Sequence, residues 1–116
     1  MKFKVVQQTD SLNHVELQGS LDCEGVQEIG GKFSNMTAVM HTDTLVDMSK
    51  VDYVSSLGLG MLVTAAKALK LTGKKIVLVN PQPKVKESIL SSGLKQVLVM
   101  AADMNEAQTL LQGAKI

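Results

Sequence analysis

Four consecutive apolar residues, Ile76-Val77-Leu78-Val79, lie between Lys74-Lys75 and Asn80-Pro81. A strand with one wet face alternates polar and apolar side chains. An unbroken apolar run is the mark of a central strand covered on both faces, as in parallel sheets carrying helices. The flanking segments supply those helices. Residues 56–71 place Leu59, Leu62, Val63, Ala66 and Leu69 on one helical face, and Gly73 follows as a stop. Residues 83–92 form a second helix, with Pro83 near its start and Gly93 at its end.

The rest of the chain extends this alternation. Phe3–Gln8 and His14–Leu17 read as two strands of a hairpin around Asp10-Ser11, ended by Gly19. Asp22 is a helix N-cap with Glu24 in the first turn, and Val26, Ile29, Phe33 and Met36 follow at helical spacing. Gly30 and Gly31 each weaken that helix by about 1 kcal/mol. Thr44–Met48 and Gln96–Met100 read as strands. A last helix, capped by Asp103 or Asn105, runs to about Leu111 and packs Met104, Ala107, Leu110 and Leu111 into the core. The predicted order is β-β-α-β-α-β-α-β-α over a single α/β domain, residues 1–116. It has a mixed sheet, an N-terminal hairpin, right-handed β-α units and four helices.

Composition narrows the function. Apolar residues are 45% of the chain and charged residues 20%, as in a soluble globular domain. Aromatics are Phe3, Phe33 and Tyr53 alone, too few for a base-stacking platform. The net charge of +1 gives no electrostatic case for nucleic acid or membrane binding. The charges are uneven, with lysines concentrated after residue 50, which reads as ordinary solvated surface. Cys23 is the single cysteine, so no internal disulfide forms, as suits a reducing cytosol. No apolar stretch has the length of a signal peptide or membrane span. A cytoplasmic protein without membrane insertion is expected.

The candidate chemistry lies at the start of the strongest helix, where Ser55 and Ser56 stand together. A serine there accepts a hydrogen bond from a free backbone N–H, a cap worth about 1 kcal/mol, and taken alone that reading is preferred. One cap needs only one serine, however. Gly58 and Gly60 lie in the first turns, where they cost helix stability and leave a hydroxyl open to a visiting enzyme. A phosphate on Ser56 would carry roughly −1.5 to −2 charges at the positive end of the helix dipole. The opposite helix face, with Gly60, Met61, Thr64, Lys67 and Ala68, is small and partly apolar, either partner surface or ordinary exposed atoms.

These motifs resemble the STAS domain family, and in particular its bacterial anti-sigma factor antagonists. The resemblance rests on Asp47-Met48-Ser49, Val51 and Ser55-Ser56-Leu57-Gly58-Leu59. Gly19-Ser20-Leu21-Asp22, the Ile76–Asn80 strand, Val85 and Ser92-Gly93-Leu94 extend it over most of the chain. It implies that Ser56 is the phosphoacceptor, with Ser55 as second choice. Its partners would be an anti-sigma factor with serine kinase activity and a metal-dependent serine phosphatase, in the control of transcription. The partner surface would comprise Leu21, Asp22, Ser55, Leu57, Gly58, Gly60, Met61 and Thr64. Many members carry Asp before the acceptor, where this chain has Ser55. A second possibility is a STAS subunit that docks by contact alone on a lipid-trafficking transporter or sensory assembly, with Ser56 only a cap.

Other residues offer less. No catalytic constellation, cofactor motif or metal-ligand spacing is present, so no enzyme is expected. His14 and His41 read as surface or strand residues, and Cys23 as a small filler without a base beside it. Asp47 reads as an end-of-strand turn former rather than half of a carboxylate pair with Asp52. Gly58-Leu59-Gly60 lacks the third glycine of a dinucleotide fingerprint. Lys74, Lys75, Lys84 and Lys86 read as solvated charges.

Overall fold

The computed structural model describes residues 1–39 and 42–113; His41 lies outside them. Ile76–Val79 forms strand β4, and all four of its side chains are buried, as its unbroken apolar run requires. Around it stand β1 (Lys2–Gln8), β2 (Leu12–Leu21), β3 (Asp43–Val54) and β5 (Val99–Ala101). The sheet order is β1-β2-β3-β4-β5. β1 pairs antiparallel with β2, and every other pair is parallel.

Helices α1 (Cys23–Ser34), α2 (Ser56–Lys70) and α3 (Pro83–Ser91) connect the parallel strands, and α4 (Met104–Gly113) follows β5. The strand period of two sorts the core into two layers. Val15, Leu17, Val46, Met48, Ile76 and Leu78 face α1, α2 and α3 in the larger layer. Leu45, Val77 and Val79 point the other way, onto Ala107 and Leu111 of α4. Each fully buried aliphatic side chain contributes roughly 1.5–3 kcal/mol.

The element order is the one the sequence predicts, and several boundaries differ. β2 runs through Gly19 to Leu21 instead of stopping there, because β3 pairs with it along its whole length. β3 likewise runs on to Val54, well past Met48. Asp47 does bond the Ser49 backbone N–H (2.9 Å), but inside the strand and not at its end. Residues 95–97 form turns, and β5 begins only at Val99; Leu98 supplied the apolar signal by packing into the core from the preceding loop. α1 passes into a π-helical turn at Asn35–Val39, which carries Met36 into the core. Asp103, not Asn105, caps α4 through the Glu106 N–H (2.8 Å). Gly73 and Gly93 take positive φ at the helix ends, as expected of stops.

Two glycines of α2 have opposite surroundings. A Cβ on Gly58 would stand 2.3 Å from the Leu21 carbonyl oxygen, while one on Gly60 would meet nothing within 4 Å. Gly58→Ala is therefore expected to cost about 3 kcal/mol or to prevent folding. Gly60→Ala is expected to gain up to about 1 kcal/mol from helix propensity. Urea unfolding of the two variants measures both, and equal midpoints would contradict the packing described.

Candidate functional site

The parallel strands β2 and β3 end together, with Leu21 opposite Val54. Beyond Val54 the chain turns into α2, and the Leu21 backbone holds that turn. The Ser55 N–H donates to the Leu21 carbonyl at 3.0 Å, and the Ser55 hydroxyl donates to the same oxygen at 3.2 Å. The Ser55 Oγ also accepts from the Gly58 N–H at 3.1 Å, the N-cap bond of α2. Ser55 is thus occupied on both sides and half-buried.

Ser56 is the first residue of α2 and is exposed. Its hydroxyl makes no hydrogen bond among the described residues. The two serines therefore differ physically. One hydroxyl is consumed in joining helix to sheet, and the next is presented to solvent.

Two large exposed side chains lie within three residues of Ser56 in the chain. Tyr53 is 55% exposed and Leu57 51%. Beside them a groove of about 440 Å³ runs between α2 and α1 with its π-helical extension. Val26, Phe33, Leu57, Met61 and Ala65 make it apolar, and Ser56 lies on its lining. Gly60 and Thr64 border the same groove and are exposed. The Thr64 hydroxyl is turned back onto the Gly60 carbonyl (2.8 Å), so it presents its methyl group more than its polarity.

The residues predicted for a partner surface divide accordingly. Ser56, Leu57, Gly60, Met61 and Thr64 come together on one accessible face. Asp22 is the half-buried N-cap of α1, accepting from the Gly25 N–H at 2.9 Å, and does not line the groove. Leu21 is fully buried and offers a partner no side chain; its contribution is the carbonyl that anchors α2. Gly58 is buried too, and its missing side chain makes room for that carbonyl rather than for a visitor. Cys23 is exposed at the start of α1 and fills no core space.

Sequence reasoning missed Tyr53, although one of the few aromatics next to a serine pair was a usable signal. It placed Val26 and Phe33 at helical spacing on α1 without assigning them to a groove. Val26 is half-buried, and both line the groove. A further bond in this region, from the Ser20 hydroxyl to Asp52 (2.9 Å), ties the ends of β2 and β3 together. Among the described residues no group of three or more His, Cys, Asp or Glu could hold a metal ion.

A hairpin-led sheet with three crossover helices on one face, and a serine pair where α2 begins, defines a STAS-type domain. The family model described as Mlab, STAS domain, matches residues 5–101, and the chain belongs to the STAS domain family. Solved structures share the fold. The anti-sigma factor antagonist SpoIIAA in its unphosphorylated form is 22% identical, with 97% of each chain covered and a TM-score of 0.75. The Bacillus cell fate determinant SpoIIAA in the phosphorylated form also matches, at 20% identity over 94% of this chain and 99% of that one, TM-score 0.69. An anti-sigma factor antagonist from Mycobacterium paratuberculosis is 19% identical, covering 96% of this chain and 95% of that one, TM-score 0.79. The murine solute carrier 26 anion transporter A9 is 19% identical over 92% of this chain but only 18% of its own length, TM-score 0.67.

The unequal roles of the two serines have a measurable consequence. Ser55→Ala removes the cap and is expected to cost about 1 kcal/mol. Ser56→Ala is expected to change stability by less than about 0.5 kcal/mol. Urea titrations of both variants decide it, and a larger loss for Ser56→Ala would reverse the assignment.

Proposed function

We propose that this chain is a docking module switched by phosphorylation of Ser56. In the free state the face of Ser56, Leu57, Gly60, Met61 and Thr64 binds a partner protein, and the phosphorylated state releases it. The carrying observation is the exposed, unbonded Ser56 hydroxyl beside the fully engaged Ser55. Phosphate on Ser56 would disturb no packed side chain. The rest of the fold would persist while the docking face gains nearly two negative charges. A partner surface shaped for apolar side chains and a neutral hydroxyl would then have to desolvate a dianion, which is costly. Ser55 is the poorer acceptor, because modifying it would first break the bonds that hold α2 to β2.

The partner proposed is an anti-sigma factor with serine kinase activity, opposed by a serine phosphatase, so that the chain regulates transcription from the cytoplasm. The likeness to SpoIIAA, known in unphosphorylated and phosphorylated forms, supports this reading. The module acts by contact and carries no reaction of its own.

A second reading has support of a different kind. The matching family model bears the name Mlab, and a segment of an anion transporter shares the fold. On this reading the same face docks permanently on a larger assembly such as a lipid-trafficking transporter, and Ser56 is not modified.

The immobilised chain can capture its partner from a lysate of the native host, and titration with variants then separates the readings. Under the switch, Ser56→Ala binds as the wild type does and Ser56→Asp at least about tenfold more weakly. Wild-type affinity of Ser56→Asp would set the switch aside; permanent docking is marked instead by captured and free chain from the host that both lack phosphate on Ser56.

A further inference from the structure

The two ends of α2 are unlike. The strands β2 to β5 are parallel, so α1, α2 and α3 all finish at the end of the sheet where those strands begin. Ser56 lies at the other end, about 22 Å away along the helix. At the far end α2 closes with Lys67 and Lys70, and the connection to β4 adds Lys74 and Lys75. All four are exposed. The ion pairs among the described residues are Met1–Glu28 and Lys50–Glu16, and neither involves these lysines.

In their midst stands Leu71, the C-cap of α2, with 88% of its surface exposed. The next most exposed large apolar residues, Tyr53 at 55% and Leu57 at 51%, belong to the other end of α2. Lysines in a last helical turn complement the helix dipole, which accounts for Lys67 and Lys70. It accounts neither for Lys74 and Lys75 nor for a leucine held almost wholly in water. Asp43, which accepts from the Lys75 N–H (2.9 Å), is only 5% exposed, and Asp10, exposed in the β1–β2 turn at this end of the sheet, makes no ion pair with these lysines among the described residues.

We propose that this end of the domain docks on an anionic lipid bilayer. Leu71 enters the headgroup layer, and Lys67, Lys70, Lys74 and Lys75 lie against the lipid phosphates. The net charge of +1 hides this surface, because acids such as Asp22, Glu24 and Asp52 gather near the opposite end. A bilayer fits better than an acidic protein for two reasons. Protein interfaces centre on aromatic or Arg anchors seated in pockets, whereas here a single leucine protrudes. The chain also contains no arginine. Lysine is a mobile point charge without a fixed fork, suited to a fluid layer of negative charge rather than to one fixed geometry. Docking at this end leaves Ser56 facing away from the bilayer, and the proposal does not depend on Ser56 being modified.

Flotation of the full chain with vesicles tests it. Vesicles of phosphatidylglycerol in phosphatidylcholine are compared with pure phosphatidylcholine, at low and at high salt. The chain is expected to float with the anionic vesicles at low salt and to be released by high salt. Each Lys→Gln change at 67, 70, 74 or 75 is expected to weaken binding about fivefold. Leu71→Asn is expected to weaken it roughly tenfold, while Leu57→Asn, at the other end, leaves it unchanged. The thermal midpoint reports that each variant is folded, and the lysine series stands independently of the leucine variant. Equal partitioning onto neutral vesicles, absence of binding at low salt, or indifference to both Leu71→Asn and the lysine changes overturns the proposal. Retention on poly-glutamate beads without vesicle binding also overturns it, and gives the patch to an acidic protein.

Discussion

The Leu21 carbonyl oxygen is the point on which the site depends. It terminates β2 and receives both the backbone N–H and the hydroxyl of Ser55. Gly58 is pressed against it so closely that a side chain there has no room. A buried carbonyl must be satisfied, and here its satisfaction fixes where α2 begins. The same device recurs one helix earlier. Asp22 caps α1 through the Gly25 N–H, and a Cβ on Gly25 would stand 2.3 Å from the Ser20 carbonyl oxygen. Two helices thus start from adjacent carbonyls at one strand end, each with a cap and a glycine three residues on. The groove between them follows from that arrangement.

This anchoring explains why consecutive serines have different fates. Once Ser55 is locked, the helical geometry places Ser56 on the outer side of the first turn, beside Leu57 and over the groove. A flexible loop would carry an exposed hydroxyl with no defined surroundings. Here the hydroxyl sits on a rigid helix start beside apolar groups, so under the proposed function its chemical state would be read by a partner covering those groups. Structure and energetics meet at that position, because modification there touches no internal contact. The far end of α2 has a different character, lysine-rich with one protruding leucine, so one helix presents two separate surfaces.

Much of this was legible in the chain. Ile76–Val79 announces a central strand because continuous burial leaves no other pattern. Asp22 and the positive-φ stops at Gly73 and Gly93 are local signals with local causes. What failed depended on tertiary contact. Gly19 looks like a terminator until β3 is seen pairing on both sides of it. Leu98 looks like strand because a loop residue buried by its neighbours has the same hydrophobicity. Leu21 and Gly58 carry a motif strong enough to mark the site, but sequence alone does not say whether such a residue touches a partner or supports the residue that does. That distinction needs the carbonyl of one element placed against the helix of another. Likewise Leu71 reads as one more apolar residue at a helix end, and only the exposed surface reveals that nothing among the described residues covers it.

The central claim is that the fold consumes one hydroxyl and offers the next. Peptide mapping by mass spectrometry, on the chain purified from its native host across growth conditions, tests this directly. The account predicts phosphate on Ser56 with Ser55 unmodified. Phosphate confined to Ser55, or both serines bare under every condition, would contradict it.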